Sequence, residues 1–432
     1  MKMLTTGMHD FPALRSKERG KYVDKTQLLY ELCDDVDQQL FISRPRRFGK
    51  SLMLSTLKAI FECRRELFKD LAIDALPWEW DKPFPVIAFT MASAKGGTYE
   101  DFQRNLRDLV RELAVSHGVS FAEQSTTALN FERLIQAVAE KSDRKQVVVL
   151  IDEYDEPVAG FLDDMPTFAR VRTDLHDFYE KLKINAGCIR FLMMTGVTKF
   201  TKLSIFSGVN HLTDVSMDPR FATLLGYTRE ELDGTLRENV EAFGAKKGLD
   251  FADAKARLLE WYDGYRFSPE SEAKVCNPVS LGSALNSGIL KNYWESTGQT
   301  SVIVNRLKAA DDIPADLEGM AVTRTQLDVC PAETMPLAAL LFQGGYLTIK
   351  KVIDDVTFRL GIPNREIGNS LAEGYVSSFL GDSMSDWTEM LVQARSKDYA
   401  GPWLDGAPPV FLVGVNYDPA KRGIDDPLVE RA

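Results

Sequence analysis

The sequence has few cysteines and no long apolar stretch. The cysteines are far apart, and no two of them have the C-x-x-C spacing of a zinc or redox site. The five are Cys33, Cys63, Cys188, Cys276 and Cys330. An odd number of scattered cysteines argues against a disulfide framework and fits a reducing cytoplasm. Because no run approaches the roughly 20 apolar residues of a membrane-spanning helix, and the first residues lack the apolar core of a signal peptide, the sequence predicts a cytoplasmic protein with no membrane partner.

Basic residues are fewer than acidic residues, and histidine is rare. The chain has 52 lysines and arginines against 63 acidic residues, a formal net charge of -11. This balance argues against a protein coated in nucleic acid, so any DNA binding must be local. The histidines have no spacing typical of a metal site; they are His9, His117, His176 and His211. With 432 residues, 44% of them hydrophobic, the chain is long enough for roughly two to three domains.

The segment SRPRRFGKSLML, residues 43–54, resembles a Walker A phosphate-binding loop without its first glycine. The motif reads G-x-x-x-x-G-K-S/T. Its last three letters are present as Gly49, Lys50 and Ser51, whereas Arg44 stands at the first-glycine position. Whether this loop still holds a nucleotide depends on the elements that flank it and on a partner motif further along the chain.

The flanking sequence predicts the context that a phosphate loop requires. Residues 38–43 indicate a short buried strand, and residues 51–62 carry apolar side chains at helical spacing. The N–H groups at the start of the helix would point toward an anion. Lys50 would then reach the β and γ phosphates of ATP, and the Ser51 hydroxyl would bind Mg²⁺. The alternative is a Gly-Lys-Ser sequence at a helix start by chance.

A second motif lies about a hundred residues later. Residues 147–151 are uninterrupted apolar residues, typical of a strand buried on both faces of a parallel sheet, and Asp152 and Glu153 come directly after them. This is a Walker B pattern, in which Asp152 would hold Mg²⁺ and Glu153 would orient and deprotonate the attacking water. The alternative is an acidic cluster, with Asp155 and Glu156, that only caps a strand.

Further apolar runs predict more strands of the same sheet. Residues 188–200 predict a third strand that ends in Thr195, and Thr195 and Thr198 are candidates to sense the γ-phosphate. Residues 84–93 supply another continuous run. Since these strands alternate with helical segments, the sequence predicts an α/β fold with a doubly wound parallel sheet and right-handed crossovers.

Several motifs together resemble the predicted AAA-ATPase-like family of bacterial proteins. They are KYVDKTQLLYEL, FISRPRRFGKSLMLSTL, VVVLIDEYDEPV, FLMMTGVTKFTKLSIFSGVNHLTDVS, WYDGYRF and CNPVSL, spread over roughly residues 5–300. The resemblance implies a P-loop NTPase fold that binds ATP and Mg²⁺, with arginine normal at the first-glycine position. Gly49, Lys50, Ser51, Asp152 and Glu153 carry over directly. The predicted site has Lys50 and Glu153 as catalytic residues, Arg44, Pro45, Arg46, Arg47, Phe48, Gly49, Lys50, Ser51, Leu52 and Thr195 as nucleotide contacts, and Ser51 and Asp152 as metal ligands.

Two other family motifs leave alternatives open. In YVDKT, Asp24 or Thr26 would either cap the first helix or lie near the adenine. In FSGVNHLTDVS, the polar residues Asn210, His211 and Asp214 are interpreted as loop structure rather than as a functional site.

The chain is predicted to contain four parts. These are an ATPase core at 1–227, a helical lid at 228–325 that begins with a capping box at Thr228 and Glu231, a winged-helix-like segment at 326–366, and a shortened nuclease-like region at 367–432.

The last two parts bear on DNA. The winged-helix-like segment has only Lys350, Lys351 and Arg359 as local basic residues, which favours a spacer over a DNA-binding module. In the family, this segment is commonly followed by a PD-(D/E)XK nuclease domain. No D/E-x-K triplet ends a hydrophobic strand in this tail, so we expect no DNA cleavage. The strand predicted at 409–417 would pack on the preceding segment or remain an exposed edge.

The leading functional hypothesis is an ATP-binding protein, a Mg²⁺-dependent ATPase whose hydrolysis rearranges the core and its helical and C-terminal parts. The alternative is a nucleotide-gated switch that recognises DNA or a protein through the C-terminal part and hydrolyses little. A third hypothesis is a folded remnant of a nuclease-bearing lineage that binds no nucleotide. If the protein works as an oligomer, a neighbouring subunit would supply an arginine; the candidates are Arg44, Arg46, Arg47 and Arg220.

Overall fold

A computed structural model describes most of the chain. The described residues are 2–17, 20–36, 38–162, 164–199, 212–294, 317, 319–328, 336–371, 411–414, 417–418, 423–424 and 428–431. The chain divides into two units. The first contains Met1–Trp294 and Asp312–Ile367, and the second contains Glu295–Asp311 and Gly368–Ala432.

The secondary structure alternates between strands and helices. The strands are β1 (Met3–Leu4), β2 (Gly20–Lys21), β3 (Gln39–Ser43), β4 (Val86–Thr90), β5 (Val147–Asp152), β6 (Ile189–Gly196), β7 (Thr213–Asp214), β8 (Ala321–Thr323), β9 (Thr348–Val352), β10 (Thr357–Gly361), β11 (Phe411–Gly414), β12 (Tyr417–Asp418), β13 (Gly423–Ile424) and β14 (Leu428–Arg431). The α-helices are α1 (Phe11–Ser16), α2 (Thr26–Cys33), α3 (Lys50–Phe61), α4 (Tyr99–Ser116), α5 (Thr127–Glu140), α6 (Glu156–Ala159), α7 (Met165–Ile184), α8 (Arg229–Asp233), α9 (Arg237–Lys247), α10 (Phe251–Tyr262), α11 (Pro278–Ser287), α12 (Arg324–Asp328) and α13 (Leu337–Gly344).

A five-stranded parallel sheet forms the centre of the first unit. Its strand order is β4-β5-β6-β3-β7. Every residue of β5 is buried, because helices cover both faces of the sheet and the strand is apolar throughout. The α/β fold with a parallel sheet and flanking helices, predicted from the apolar runs, is therefore confirmed. β4 is shorter than its apolar run, since a 3₁₀ turn at Met91–Ala94 comes directly after it.

The register of the sheet brings several strand ends to one edge. Thr90, the last residue of β4, lies beside Asp152, the last residue of β5. Thr195 near the end of β6 lies beside Ile42 of β3. In open α/β sheets, ligands bind at this carboxyl edge, so the fold collects the polar residues at the ends of four strands into one place.

Helices α8 to α11 pack together beside the sheet. The capping box predicted at the start of α8 is present: Glu231 N–H donates to Thr228 Oγ1 at 3.2 Å, and Thr228 N–H donates to Glu231 Oε2 at 2.8 Å. The helix α8 ends at Asp233 with Gly234 as its C-cap, and α9 begins at Arg237. The core of this bundle also takes in the start of the chain. It includes Leu4, Val23, Leu232, Val240, Phe243, Leu258 and Tyr262.

The last part of the first unit combines α13 with a small antiparallel sheet of order β8-β10-β9. The helix and the hairpin lie where the apolar pattern places them, whereas β8 has no sequence signal because it is only three residues long. At the hairpin turn, Ile353 and Val356 are exposed beside Asp354 and Asp355. The winged-helix assignment of this segment stays a prediction.

The described parts of the second unit are short strands. β11 pairs antiparallel with β14, and β12 pairs with β13. The strand predicted at 409–417 thus has a partner along Phe411–Gly414. The segment 372–410, which includes much of the predicted nuclease remnant, lies outside the described residues. Within the part of the chain that the structure describes, no helix is both long and apolar enough to cross a membrane.

Candidate nucleotide-binding site

The phosphate loop runs from Arg44 to Gly49, between β3 and α3. Gly49 is the N-cap of α3 and has a left-handed φ of 91°, a conformation that a residue with a Cβ rarely adopts. Arg47 is also left-handed, with a φ of 65°. Since Gly49 carries no side chain, the backbone N–H groups of the first turn of α3 face the loop without a side-chain cap, as an anion-binding helix start requires.

Lys50 is the first residue of α3 and is buried. Its ammonium donates hydrogen bonds to Arg44 O at 2.8 Å and Pro45 O at 3.0 Å. Burial lowers the pKa of Lys50 to about 8, and the carboxylates of Asp152 and Asp155 oppose that shift. The Lys50 ammonium is therefore partly desolvated. It is bound by carbonyl groups of the loop and lies close to the N–H groups at the start of α3.

Asp152 joins three elements at the edge of the sheet. Ser51 Oγ, from the start of α3, donates to Asp152 Oδ2 at 2.5 Å. Thr195 Oγ1, from β6, donates to Asp152 Oδ1 at 2.5 Å. Hydroxyl and carboxylate oxygens are the ligands that Mg²⁺ prefers, so Ser51 and Asp152 fit this cation. No cluster of three or more histidine, cysteine, aspartate or glutamate side chains suited to a metal occurs among the described residues.

Glu153 is the residue after Asp152 and has a left-handed conformation with a φ of 50°. Thr90 Oγ1 donates a hydrogen bond to Glu153 Oε2 at 3.1 Å. Burial, and secondly the charge of Asp152, raise the pKa of Glu153, whereas the bond from Thr90 lowers it. Thr90 belongs to no motif in the sequence; the one signal for it is that it follows an apolar run, as Asp152 and Thr195 do.

Asp155 fixes the loop after β6. It is buried and accepts hydrogen bonds from Val197 N–H at 3.3 Å, Thr198 N–H at 2.8 Å and Thr198 Oγ1 at 2.5 Å. Burial raises its pKa. Thr198 thus binds Asp155, whereas Thr195 binds Asp152. Gly196 between them is tightly enclosed, because a Cβ there would overlap the Tyr154 ring.

The Arg44 side chain points into the protein interior. Its guanidinium donates to Ser216 O at 2.7 Å and to Phe221 O at 3.3 Å, and it lies 4.1 Å from the centre of the Phe267 ring. Burial lowers its pKa to about 9. Arg44 therefore fixes the phosphate loop through contacts that its side chain makes in the protein interior.

The other predicted arginines form separate contacts. Arg46 pairs with Glu156 at 2.9 Å. Arg47 donates to Tyr293 O at 3.2 Å. Arg220 pairs with Asp218 and Asp35, each at 2.7 Å, and its side chain is 55% exposed. The four candidates for a subunit-bridging arginine thus do not converge on Asp152.

The remaining predicted nucleotide contacts line the two sides of the loop. Pro45 is buried, and Phe48 packs on the rings of Tyr265 and Phe267, with centres 4.9 and 5.3 Å apart. Leu52 lines a pocket beside Gly49. The walls of this pocket are mainly apolar and include Tyr22, Val23, Met53, Leu225 and Tyr227.

The YVDKT motif contributes both to this pocket and to local structure. Asp24 Oδ1 accepts hydrogen bonds from Thr26 N–H at 2.8 Å and Thr26 Oγ1 at 2.7 Å. Asp24 Oδ2 accepts one from Ala72 N–H at 2.7 Å. Asp24 and Thr26 thus organise the start of α2, while their neighbours Tyr22, Val23 and Lys25 line the pocket.

Asp214 belongs to β7 rather than to a loop, and its carboxylate pairs with Lys199 at 3.0 Å. Asn210 and His211, grouped with it from the sequence, lie outside the described residues.

Comparison with known proteins identifies the family. The family described as "Predicted AAA-ATPase" matches residues 5–206, which contain the phosphate loop, β5 and β6. An uncharacterized protein in the vnfD 5′ region of Azotobacter chroococcum mcd 1 is 32% identical over 388 residues, covering 89% of this chain and 72% of that protein. The likeness to this relative thus extends well beyond the matched core. The chain belongs to the predicted AAA-ATPase family.

Proposed function

We propose that the protein binds ATP with Mg²⁺ at the phosphate loop and hydrolyses it, and that hydrolysis rearranges the core and its helical and C-terminal parts. The observation that carries this proposal is the junction at Asp152. Its two oxygens bind hydroxyl groups from the start of α3 and from β6, and Glu153 lies next to it. This arrangement supports phosphoryl transfer because it places oxygen ligands and a carboxylate base beside a helix start suited to phosphate.

Each residue has a role in this proposal. The first-turn N–H groups of α3 and the Lys50 ammonium hold the phosphates, and Ser51 and Asp152 hold Mg²⁺. When bound, Mg²⁺ neutralises charge on the phosphate oxygens. Glu153 orients and deprotonates the attacking water, and its raised pKa suits a base that works near neutral pH. Thr195 keeps Asp152 oriented.

The pocket beside Gly49 is proposed to receive the base of the nucleotide. Tyr22 and Val23 form one side, and Leu225 and Tyr227 form another. Mostly apolar walls next to a phosphate site suit a planar aromatic base. This assignment gives the YVDKT motif a role through Tyr22 and Val23 rather than through Asp24.

Calorimetric titration of the purified chain with ATP and Mg²⁺, together with a phosphate-release assay, tests the proposal. Binding at micromolar ATP and a slow release of phosphate are expected. A well-folded protein that binds no nucleotide would overturn the proposal and favour the remnant hypothesis.

The second candidate function is a nucleotide-gated switch that hydrolyses little ATP. The observation that favours it is the hydrogen bond from Thr90 to Glu153. This bond occupies one oxygen of the proposed base. If it holds Glu153 away from water, hydrolysis is restrained and the bound nucleotide acts mainly as a signal. If it orients Glu153, it assists hydrolysis. The two functions predict opposite results when the bond is removed.

We expect Thr90→Val to lower kcat roughly ten- to a hundredfold, the effect of one hydrogen bond to a charged carboxylate, while ATP affinity stays unchanged. Because the bond lowers the pKa of Glu153, its loss raises that pKa, so the acidic limb of the kcat profile moves to higher pH. Phosphate release measured against pH checks both effects. Thr173→Val, on an exposed part of α7, serves as the control. A rise in kcat would support the switch instead.

We also propose that the protein does not cut DNA. Purified protein incubated with plasmid and linear DNA in Mg²⁺ or Mn²⁺ is expected to leave both intact, because no D/E-x-K triplet ends a hydrophobic strand in the tail. A restriction enzyme in the same buffer is the positive control. Defined fragments that appear only with the metal would contradict this prediction.

The client is proposed to be DNA or a protein that contacts the C-terminal part. Asp354 and Asp355 at the turn between β9 and β10 oppose phosphate groups, whereas the exposed Ile353 and Val356 beside them suit an apolar surface. These residues favour a protein at the hairpin tip. If the protein works as an oligomer, a neighbouring subunit would supply an arginine, and the choice among the four candidates is left open.

A further inference from the structure

The end of α13 packs against the phosphate loop. This contact has no role in the proposed reaction. Gly345, the C-cap of α13, has a left-handed φ of 84°. A Cβ at this position would lie 2.8 Å from Pro45 Cβ, 2.9 Å from Pro45 Cγ and 3.0 Å from the Trp294 ring. Pro45 O in turn accepts the hydrogen bond of Lys50. The end of α13 therefore touches the loop at the residue whose carbonyl group positions Lys50.

The same helix also holds the loop after β6. Gln343 is buried, its Oε1 accepts a hydrogen bond from Lys199 N–H at 2.8 Å, and its Nε2 donates to Leu327 O at 3.0 Å. Lys199 is the residue directly after Thr198, which Asp155 binds from the opposite side. The segment that carries Thr195 toward Asp152 is thus fixed by Asp155 and by Gln343 together.

Aromatic residues connect the loop with the hairpin. Phe48 packs on Tyr265 and Phe267 of the WYDGYRF motif. In the same motif, Arg266 N–H donates to Thr348 Oγ1 of β9 at 2.8 Å. A motif without a role in the proposed chemistry therefore lies between the phosphate loop and β9.

A buried carboxylate supports the same contact region. Glu366 accepts hydrogen bonds from Tyr293 N–H at 2.7 Å and Trp294 N–H at 3.1 Å. Arg47 of the phosphate loop donates to Tyr293 O; burial raises the pKa of Glu366 to about 7, and the charge of Arg47 opposes that shift. Residues on both sides of the loop, Pro45 and Arg47, thus contact one group of residues near α13.

We propose that Gly345 and Gln343 are positioning residues of the nucleotide site, so that nucleotide affinity and the placement of α13 with its hairpin are coupled. The inference rests on the proposed function and deepens it by assigning the regulation of that site. Because coupling between two sites is reciprocal, a partner that displaces the hairpin changes ATP affinity by the same factor by which ATP changes the partner's affinity.

Two glycine substitutions test the proposal. Gly345→Ala introduces left-handed strain and a contact with Pro45. Gly248→Ala introduces similar strain at the C-cap of α9, where φ is 66° and no atom lies within 4 Å of the added Cβ. We expect Gly345→Ala to weaken ATP binding about tenfold and Gly248→Ala to leave it unchanged. Calorimetry measures both affinities, and circular dichroism checks that both variants are folded.

Gln343 gives an independent test. Gln343→Met keeps the length of the side chain but removes the acceptor for Lys199 N–H, whereas Gln343→Glu keeps this acceptor; both variants lose the donor to Leu327 O, so their difference reports the Lys199 bond alone. We expect the methionine variant to weaken ATP binding or turnover several-fold and the glutamate variant to restore most of the loss. Hydrogen exchange of residues 337–361 should slow when ATP and Mg²⁺ are added to the unaltered chain, and this response should be reduced in Gly345→Ala.

The outcomes separate the two proposals. If the unaltered chain binds no ATP, the proposed function itself fails. If it binds ATP but Gly345→Ala behaves as Gly248→Ala does, and exchange in 337–361 does not respond to nucleotide, the positioning role is overturned. Should Gly345→Ala not fold, the comparison of Gln343→Met with Gln343→Glu decides, since equal affinity and turnover in both variants would also overturn it.

Discussion

Replacing Lys50 with methionine is expected to weaken the binding of ATP and Mg²⁺ about a hundredfold or more. Methionine has nearly the length of lysine but no charge. A hydrogen bond from the ammonium to a phosphate oxygen is lost together with the positive charge, and hydrogen bonds of charged groups contribute about 1.5–3 kcal/mol each. Calorimetric titration measures the change.

The same substitution also removes the bonds of Lys50 to Arg44 O and Pro45 O, so its effect on folding must be measured. Lys58→Met lies on the same helix, α3, at an exposed position, and is the matched control. Thermal unfolding of both variants shows whether the loop or the whole fold has changed. An affinity equal to that of the unaltered chain would mean that Lys50 does not hold the phosphates.

Replacing Glu153 with glutamine is expected to leave ATP affinity within about twofold and to lower kcat by about 10²–10⁴-fold, the range typical of a lost general base. Glutamine keeps the shape and an acceptor for Thr90, but it cannot take a proton from water. Single-turnover phosphate release at saturating ATP measures this step without the contribution of binding.

Glu156→Gln is the control for this substitution. Glu156 lies three residues further on and pairs with Arg46 at 2.9 Å and Lys95 at 2.8 Å, so it shares the local negative charge but does not lie beside Thr90. Little change in kcat is expected for it. Similar losses in both variants would indicate an electrostatic effect, and loss of binding in Glu153→Gln would contradict the assigned role.

Short sequence patterns were sufficient to predict β5, the phosphate loop and α3. The apolar run before Asp152 predicted β5, because an uninterrupted apolar strand is stable only when both faces are covered. The letters Gly-Lys-Ser before an apolar helical pattern predicted the loop and α3. In both cases the information lies within a short stretch of consecutive residues.

Other features depend on contacts between distant residues and have no local signature. Thr90 is one threonine at the end of one strand, and only the pairing of β4 with β5 brings it to Glu153. An arginine in a phosphate loop is expected to face the anion, yet the Arg44 side chain is directed inward by carbonyl groups of Ser216 and Phe221, which belong to a later part of the chain. The contact of Gly345 with Pro45 joins residues 300 positions apart.

The strand order of the central sheet has a consequence for synthesis of the chain. β3, which leads into the phosphate loop, pairs with β6 and β7, the last strands of that sheet to be made. During translation, β3 therefore lacks both neighbours until β6 has been made, roughly 8–30 s, the time in which about 150 further residues are added at 5–20 residues per second. Over that interval the apolar residues of β3, Leu40, Phe41 and Ile42, have no neighbouring strand in the sheet and are exposed to chaperones and to other nascent chains.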